Sequence, residues 1–241
     1  MERCGILCVV FSLSLFYLLS SSSLAYEVIN VGKGGAIVGT VKFQGKAPQP
    51  KKIEVTRNKE VCGKEAKFSE SLIVGSNGGV QNAVLYLTDI RKGKKFDTPS
   101  NLQLDQRGCQ FRPHVFIVPA GKSFDLINSD GILHNFRTTG ENNPILNKAQ
   151  PKFKKKLKIK IDKPEIIHAN CDVHEWMHAW LIVAGHPYYV LTGENGSFKI
   201  GDVPPGTYTL QLWHETLGQQ THKLTVKAGE ETKVALELRK K

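Results

Sequence analysis

Glu165-Ile166-Ile167-His168-Ala169-Asn170-Cys171-Asp172-Val173-His174-Glu175-Trp176-Met177-His178-Ala179-Trp180-Leu181-Ile182-Val183 reads as strand, loop, strand. The runs Glu165 to Ala169 and Ala179 to Val183 carry strand-type apolar patterning. The loop between them sets a thiolate, an imidazole and a thioether three residues apart. At that spacing a single turn after a strand can swing Cys171, His174 and Met177 onto one ion. Two strong ligands and one weak axial ligand leave an equatorial place empty. His134, in Asn128-Ser129-Asp130-Gly131-Ile132-Leu133-His134-Asn135, is the candidate to fill it. Two histidines, one cysteine and a long axial methionine together point to an electron-transfer copper.

Outward from this stretch the periodicity stays strand-like. Apolar alternation marks Ala36 to Phe43, Val80 to Leu87, His114 to Val118 and Ser123 to Ile127, and no long amphipathic helix appears. Turn signals at Asn77-Gly78-Gly79, Asp130-Gly131, Glu194-Asn195-Gly196 and Pro204-Pro205-Gly206 cut the chain into short runs. The expected class is all-β, built from sandwiches.

The first residues bear on compartment. Met1-Glu2-Arg3, the apolar run Ile6 to Leu19 and the small residues Ser23 and Ala25 predict a secretory signal peptide over 1–25, cut before Tyr26. A periplasmic or secreted protein is expected. Cleavage removes Cys4 and Cys8 and leaves Cys62, Cys109 and Cys171. With Cys171 assigned to the metal, counting pairs Cys62 with Cys109 in an oxidising compartment.

The net charge of +11 asks for acidic partners. From Lys156 to Ile161 lysine alternates with Leu and Ile, a strand with one wet face. Its lysines either guard a sheet edge or steer an anionic redox partner such as a c-type cytochrome or an oxidoreductase. Nucleic acid is not expected, because export argues against it and the aromatic interleaving needed for base stacking is absent. Weak association with an envelope surface is the remaining expectation. There is no Gly-x-Ser-x-Gly elbow or phosphate loop, so no enzyme chemistry is expected.

Two family resemblances add to this. Leu191-Thr192-Gly193-Glu194-Asn195-Gly196-Ser197-Phe198 and Asp202-Val203-Pro204-Pro205-Gly206-Thr207-Tyr208, with Gly35 to Val41, Gly45 to Pro48 and Asn82 to Leu87, resemble the carboxypeptidase regulatory-like (transthyretin-like) β-sandwich. Phe111-Arg112-Pro113, Ile117 to Gly121, Asn128-Ser129-Asp130, His134-Asn135 and Cys171-x-x-His174-x-x-Met177 resemble a cupredoxin, with a ligand loop similar to that of the amicyanins. The second resemblance implies a Greek-key sandwich holding one type 1 copper through His134, Cys171, His174 and Met177, with outer-sphere electron transfer as its work. Asn135 would tie the two ligand loops together. The expected organisation is a first part of the outer sandwich over 34–98, a cupredoxin domain over 99–186 and a second part of the outer sandwich over 187–241. Either the copper region is inserted into a split sandwich, or the modules follow one another in line.

Several residues stay open. His178 could replace Met177 as the axial ligand. His114 either lines a second site or holds a plain strand position, and His168, opposite in parity to Cys171, faces away from the ligands. Trp213-His214-Glu215 and His186-Pro187-Tyr188 are expected to pack between the modules. The alternative to an electron carrier is a copper storage or delivery protein, with His114, His178 and His186 as extra transient ligands. A surface interaction module is a third reading.

Overall fold

The computed structural model describes residues 26–240, so the expected signal peptide lies outside the described residues. In chain order the strands are β1 (Glu27–Val28), β2 (Gly35–Phe43), β3 (Val84–Leu87), β4 (Lys92–Gly93), β5 (Gln103–Gln106), β6 (Phe111–Arg112), β7 (Val115–Pro119), β8 (Ser123–Asn128) and β9 (His134–Thr139). They continue as β10 (Asn147–Gln150), β11 (Lys156–Lys160), β12 (Glu165–Asn170), β13 (His178–Ala184), β14 (Tyr189–Leu191), β15 (Ser197–Val203), β16 (Gly206–His214), β17 (Gly218–Val226) and β18 (Glu231–Leu238). One helical turn, α1 (Lys59–Cys62), is the only helix among the described residues. The protein is all-β, as its periodicity predicts.

Period-two patterning sorts the side chains into layers. One sandwich packs the sheet β10-β9-β12-β13-β7 on the sheet β11-β8-β5-β6, and its core holds Leu104, Phe116, Phe124, Leu126, Phe136, Ile167 and Leu181. The other packs β14-β3-β16-β17 on β15-β2-β18, around Ile37, Val41, Leu85, Leu87, Leu210 and Leu212. Each such fully buried side chain contributes about 1.5–3 kcal/mol. The strands of the first sandwich run from β5 to β13, while β2, β3 and β14 to β18 form the second, so one set lies between the halves of the other in sequence.

A third apolar layer joins the two. Leu181-Ile182-Val183-Ala184 is buried throughout because both faces of β13 are covered. Leu181 and Val183 enter the first core, whereas Ile182 meets Val84, Val115, Trp180 and Trp213 on the opposite face. Trp180 stands edge-on to Trp213 with ring centroids 5.0 Å apart, and Tyr86 stacks on Tyr189 at 4.6 Å. The packing expected of Trp213 is thus what holds the sandwiches face to face.

Two local departures from the sequence pattern matter. The run Val80 to Leu87 is not one strand: Asn82 sits in the left-handed region at φ 62, which interrupts the extended backbone, and β3 starts at Val84. Cys62, within the stretch expected for the outer sandwich, is buried in the core of the other sandwich, where it is disulfide-bonded to Cys109. The lysine strand β11 is an edge of its sheet. Lys156 and Lys158 reach Asp125 on neighbouring β8 at 2.6 and 3.8 Å, so part of their charge is spent within the fold.

Candidate metal centre

Alternation along β12 turns Ile167 and Ala169, and then Cys171 just beyond it, into the core. The chain then doubles back. Met177 N donates to the His174 carbonyl at 2.8 Å, and Cys171 N donates to the Met177 carbonyl at 3.0 Å, closing the loop before β13 begins at His178. His134 opens β9, the neighbour of β12, and so arrives beside this loop. His134 Nδ1 lies 3.0 Å from His174 Nδ1. Cys171 Sγ lies 3.8 Å from the first and 3.7 Å from the second. A circle through three points so spaced has a radius of about 2 Å, close to the length of a metal bond to imidazole nitrogen or thiolate. All three residues are buried, and Met177 is buried in the same core.

The far nitrogens of both rings are tied down. His134 Nε2 donates to Asp130 Oδ2 at 2.9 Å, and His174 Nε2 donates to Asn58 Oδ1 at 3.0 Å. These oxygens can only accept, so each Nε2 carries a proton, and each Nδ1 turns inward a lone pair in the neutral ring or an N–H in the charged one. With both rings neutral, two lone pairs face one another at 3.0 Å beside a sulfur and repel unless a proton or a metal ion sits among them. Asn58 precedes α1 at φ 49 and makes no side-chain cap to that helix, its oxygen being committed to His174. Asp130, ahead of left-handed Gly131, also accepts from Gly108 N at 2.6 Å and Cys109 N at 2.8 Å.

Both partners flank the disulfide. Asn58 precedes the helical turn that ends at Cys62, and Cys109 sits with Gly108 in a tight turn in which both are left-handed. Trp176 Nε1 also donates to the Cys109 carbonyl at 3.0 Å. Asn135 performs the expected tie: its Nδ2 donates to Asp172 Oδ2 at 2.9 Å, its Oδ1 accepts from Asp172 N at 2.6 Å, and its backbone N–H points at Cys171 Sγ from 3.5 Å.

Burial alone would raise the Cys171 thiol, but bonds from His134, His174 and the Asn135 backbone outweigh it and bring its pKa down to about 6. Burial likewise opposes charge on His134, and the Asp130 carboxylate together with Cys171 lifts it above the ordinary histidine value. The metal-free protein is therefore expected to hold Cys171 mostly as thiolate at pH 7. Its ultraviolet thiolate absorbance should titrate near pH 6, well below the ordinary thiol value of about 8.5. Metal affinity should fall as pH drops and protons compete for His134 and then for Cys171. A titration midpoint above 8 would contradict this account.

The remaining histidines do not join this group. His178 Nε2 faces Ser71 Oγ at 3.2 Å and Glu215 Oε2 at 3.5 Å, away from Cys171. His114 Nε2 meets Glu215 Oε1, and His168 lies 4.9 Å from the Trp180 ring. His186 packs among Tyr26, Tyr188 and Tyr189, where burial lowers its pKa to about 4. His214 Nδ1 accepts from Thr216 N and Leu217 N in a turn. Cys109, Asp130 and His134 also converge, but the Cys109 sulfur is already bonded to Cys62. Sequence reasoning did not reach Asn58, or Asp130 as a partner of His134. An Asp four residues before a candidate ligand was the available signal for the latter.

Residues 165–234 match the family model described as polysaccharide lyase family 4, domain II. Comparison with curated proteins finds no match. Among solved structures, part of the chain is similar to the Cu-containing nitrite reductase from Thermus scotoductus, at 20% identity and a TM-score of 0.31, covering 36% of this chain and 23% of that one. It is also similar to the purple cupredoxin from Nitrosopumilus maritimus (14% identity, TM-score 0.30, 35% of this chain and 100% of that one). A third is amicyanin from Paracoccus versutus (15% identity, TM-score 0.32, 42% of this chain and 97% of that one). All three are likenesses of a minor part of the chain, and the chain spans less than a quarter of the nitrite reductase.

Proposed function

We propose that this protein is an exported copper protein that carries single electrons between redox partners, with one type 1 copper held by His134, Cys171 and His174 and with Met177 as the axial ligand. The observation that carries the reading is the convergence of two inward imidazole nitrogens and one free thiol on a buried point. Copper in such a donor set supplies outer-sphere transfer of one electron. The protein's part is to keep the donors still. Asp130 and Asn58 fix the two rings, Asn135 fixes the loops against each other, and burial excludes water. Neither ring needs to turn when charge changes, which favours rapid transfer. The Cys62–Cys109 disulfide suits an oxidising compartment. The net charge of +11 favours an acidic protein partner.

One copper(II) added to the mature chain is expected to give an intense visible sulfur-to-copper absorption and a reversible one-electron voltammogram. A chain that binds copper with only weak visible absorption, and releases it on reduction, stores or delivers the ion instead. The supporting partners make a graded prediction as well. Asp130→Ala frees the outer nitrogen of His134 and should weaken copper binding by about 10–100-fold, the usual effect of losing such a partner. Competition against a chelator measures it, and an unchanged affinity would leave Asp130 a purely structural role.

A further inference from the structure

We propose a second metal site, for a divalent first-row cation, made by His114, His178 and Glu215 where the two sandwiches meet. The three residues come from distant parts of the chain: the residue before β7, the first residue of β13 and the residue after β16. Their donor atoms lie within 4.8 Å of one another. His114 Nε2 addresses one oxygen of the Glu215 carboxylate, and His178 Nε2 addresses the other from 3.5 Å. His114 is buried and the Glu215 side chain is nearly so, at 10% exposure.

The surroundings aim these groups. Trp180 Nε1 donates to Glu215 Oε2 at 3.0 Å and fixes the carboxylate. The Trp176 carbonyl and the Ser71 hydroxyl, 3.2 Å from Nε2, hold the His178 ring with Nε2 turned toward Glu215, the edge an ion would meet. The His114 and His178 rings stand nearly perpendicular with centroids 5.0 Å apart, so their nitrogens approach one point from different sides. A narrow cleft lined by Ser69, Glu70, Gln110 and Met177 borders His114 and His178. Two imidazoles and a carboxylate suit zinc(II) or copper(II) and leave a place for water. The set has no sulfur, which separates it from the centre at Cys171. An ion there would bridge β7 and β13 of one sandwich to the end of β16 in the other.

Zinc(II) alone is the probe, added to the full mature chain under equilibrium dialysis with metal analysis. The wild type should bind two equivalents. Cys171→Ser should keep one, and X-ray absorption of that zinc should show only nitrogen and oxygen neighbours. Glu215→Gln should lose one equivalent while leaving the copper visible spectrum in place. No zinc on Cys171→Ser, a sulfur neighbour in its spectrum, or two equivalents on Glu215→Gln would each overturn the site. Should Glu215→Gln fail to fold, His114→Gln in the Cys171→Ser background decides: zinc retained there would overturn the site.

Discussion

Cys171→Ser is expected to abolish the visible sulfur-to-copper band outright, since Cys171 is the one free cysteine among the described residues. Copper affinity should fall by more than the roughly 10–100-fold that loss of a supporting partner costs, because a strong donor is removed. The fold should survive. A serine hydroxyl there is buried beside His134 and His174 and costs about 1–3 kcal/mol if it finds no partner, a fraction of a domain's usual stability of about 5–15 kcal/mol. Absorption spectra of the loaded variant, with near-ultraviolet circular dichroism to report folding, give the result. An intense band that persists would mean the thiolate is not a ligand.

The double variant Cys62→Ser, Cys109→Ser should act on stability and on the metal together. The bond spans 47 residues, and the chain-entropy account assigns a loop of that size about 4 kcal/mol. It also anchors the helical turn behind Asn58 and the tight turn whose N–H groups hold Asp130, so both histidines lose their outer supports. Copper affinity should drop by at least the roughly 10-fold expected of one such loss. Denaturant midpoints and chelator competition measure the two effects separately. A large loss of stability with unchanged affinity would show that other contacts hold Asn58 and Asp130.

Much of the centre was legible in sequence because its chemistry is compressed. Cys171, His174 and Met177 share one loop, and strand parity predicts that Cys171 turns inward with Ile167 and Ala169 while His168 turns outward. The Cys62–Cys109 pair was legible by counting. Asn58 was not, since it lies 116 residues from His174 and its left-handed backbone leaves no sequence mark. Glu215 was legible only as packing between the modules: its meeting with His114 and His178 depends on which faces of two sheets meet, a choice settled by Ile182, Val84 and the tryptophans rather than by any local pattern. The break at Asn82 shows the same limit, because alternation of Val80 to Leu87 cannot register one residue with positive φ.

Strand β2 finds its parallel partner only in β18, from Ala36 opposite Glu231 to Phe43 opposite Leu238. Nearly the whole chain must therefore exist before the outer sandwich can close. Every strand of the inner sandwich lies between those two and can pair earlier with less loop-closure entropy. Assembly should thus run from the inside outward, with the sandwich that holds His134, Cys171 and His174 ordered while the edge of β2 still waits. During that interval the edge of β2 away from β15 is unpaired, the part of the nascent protein most exposed to misassembly with a neighbouring chain. Late arrival of β18 seals it.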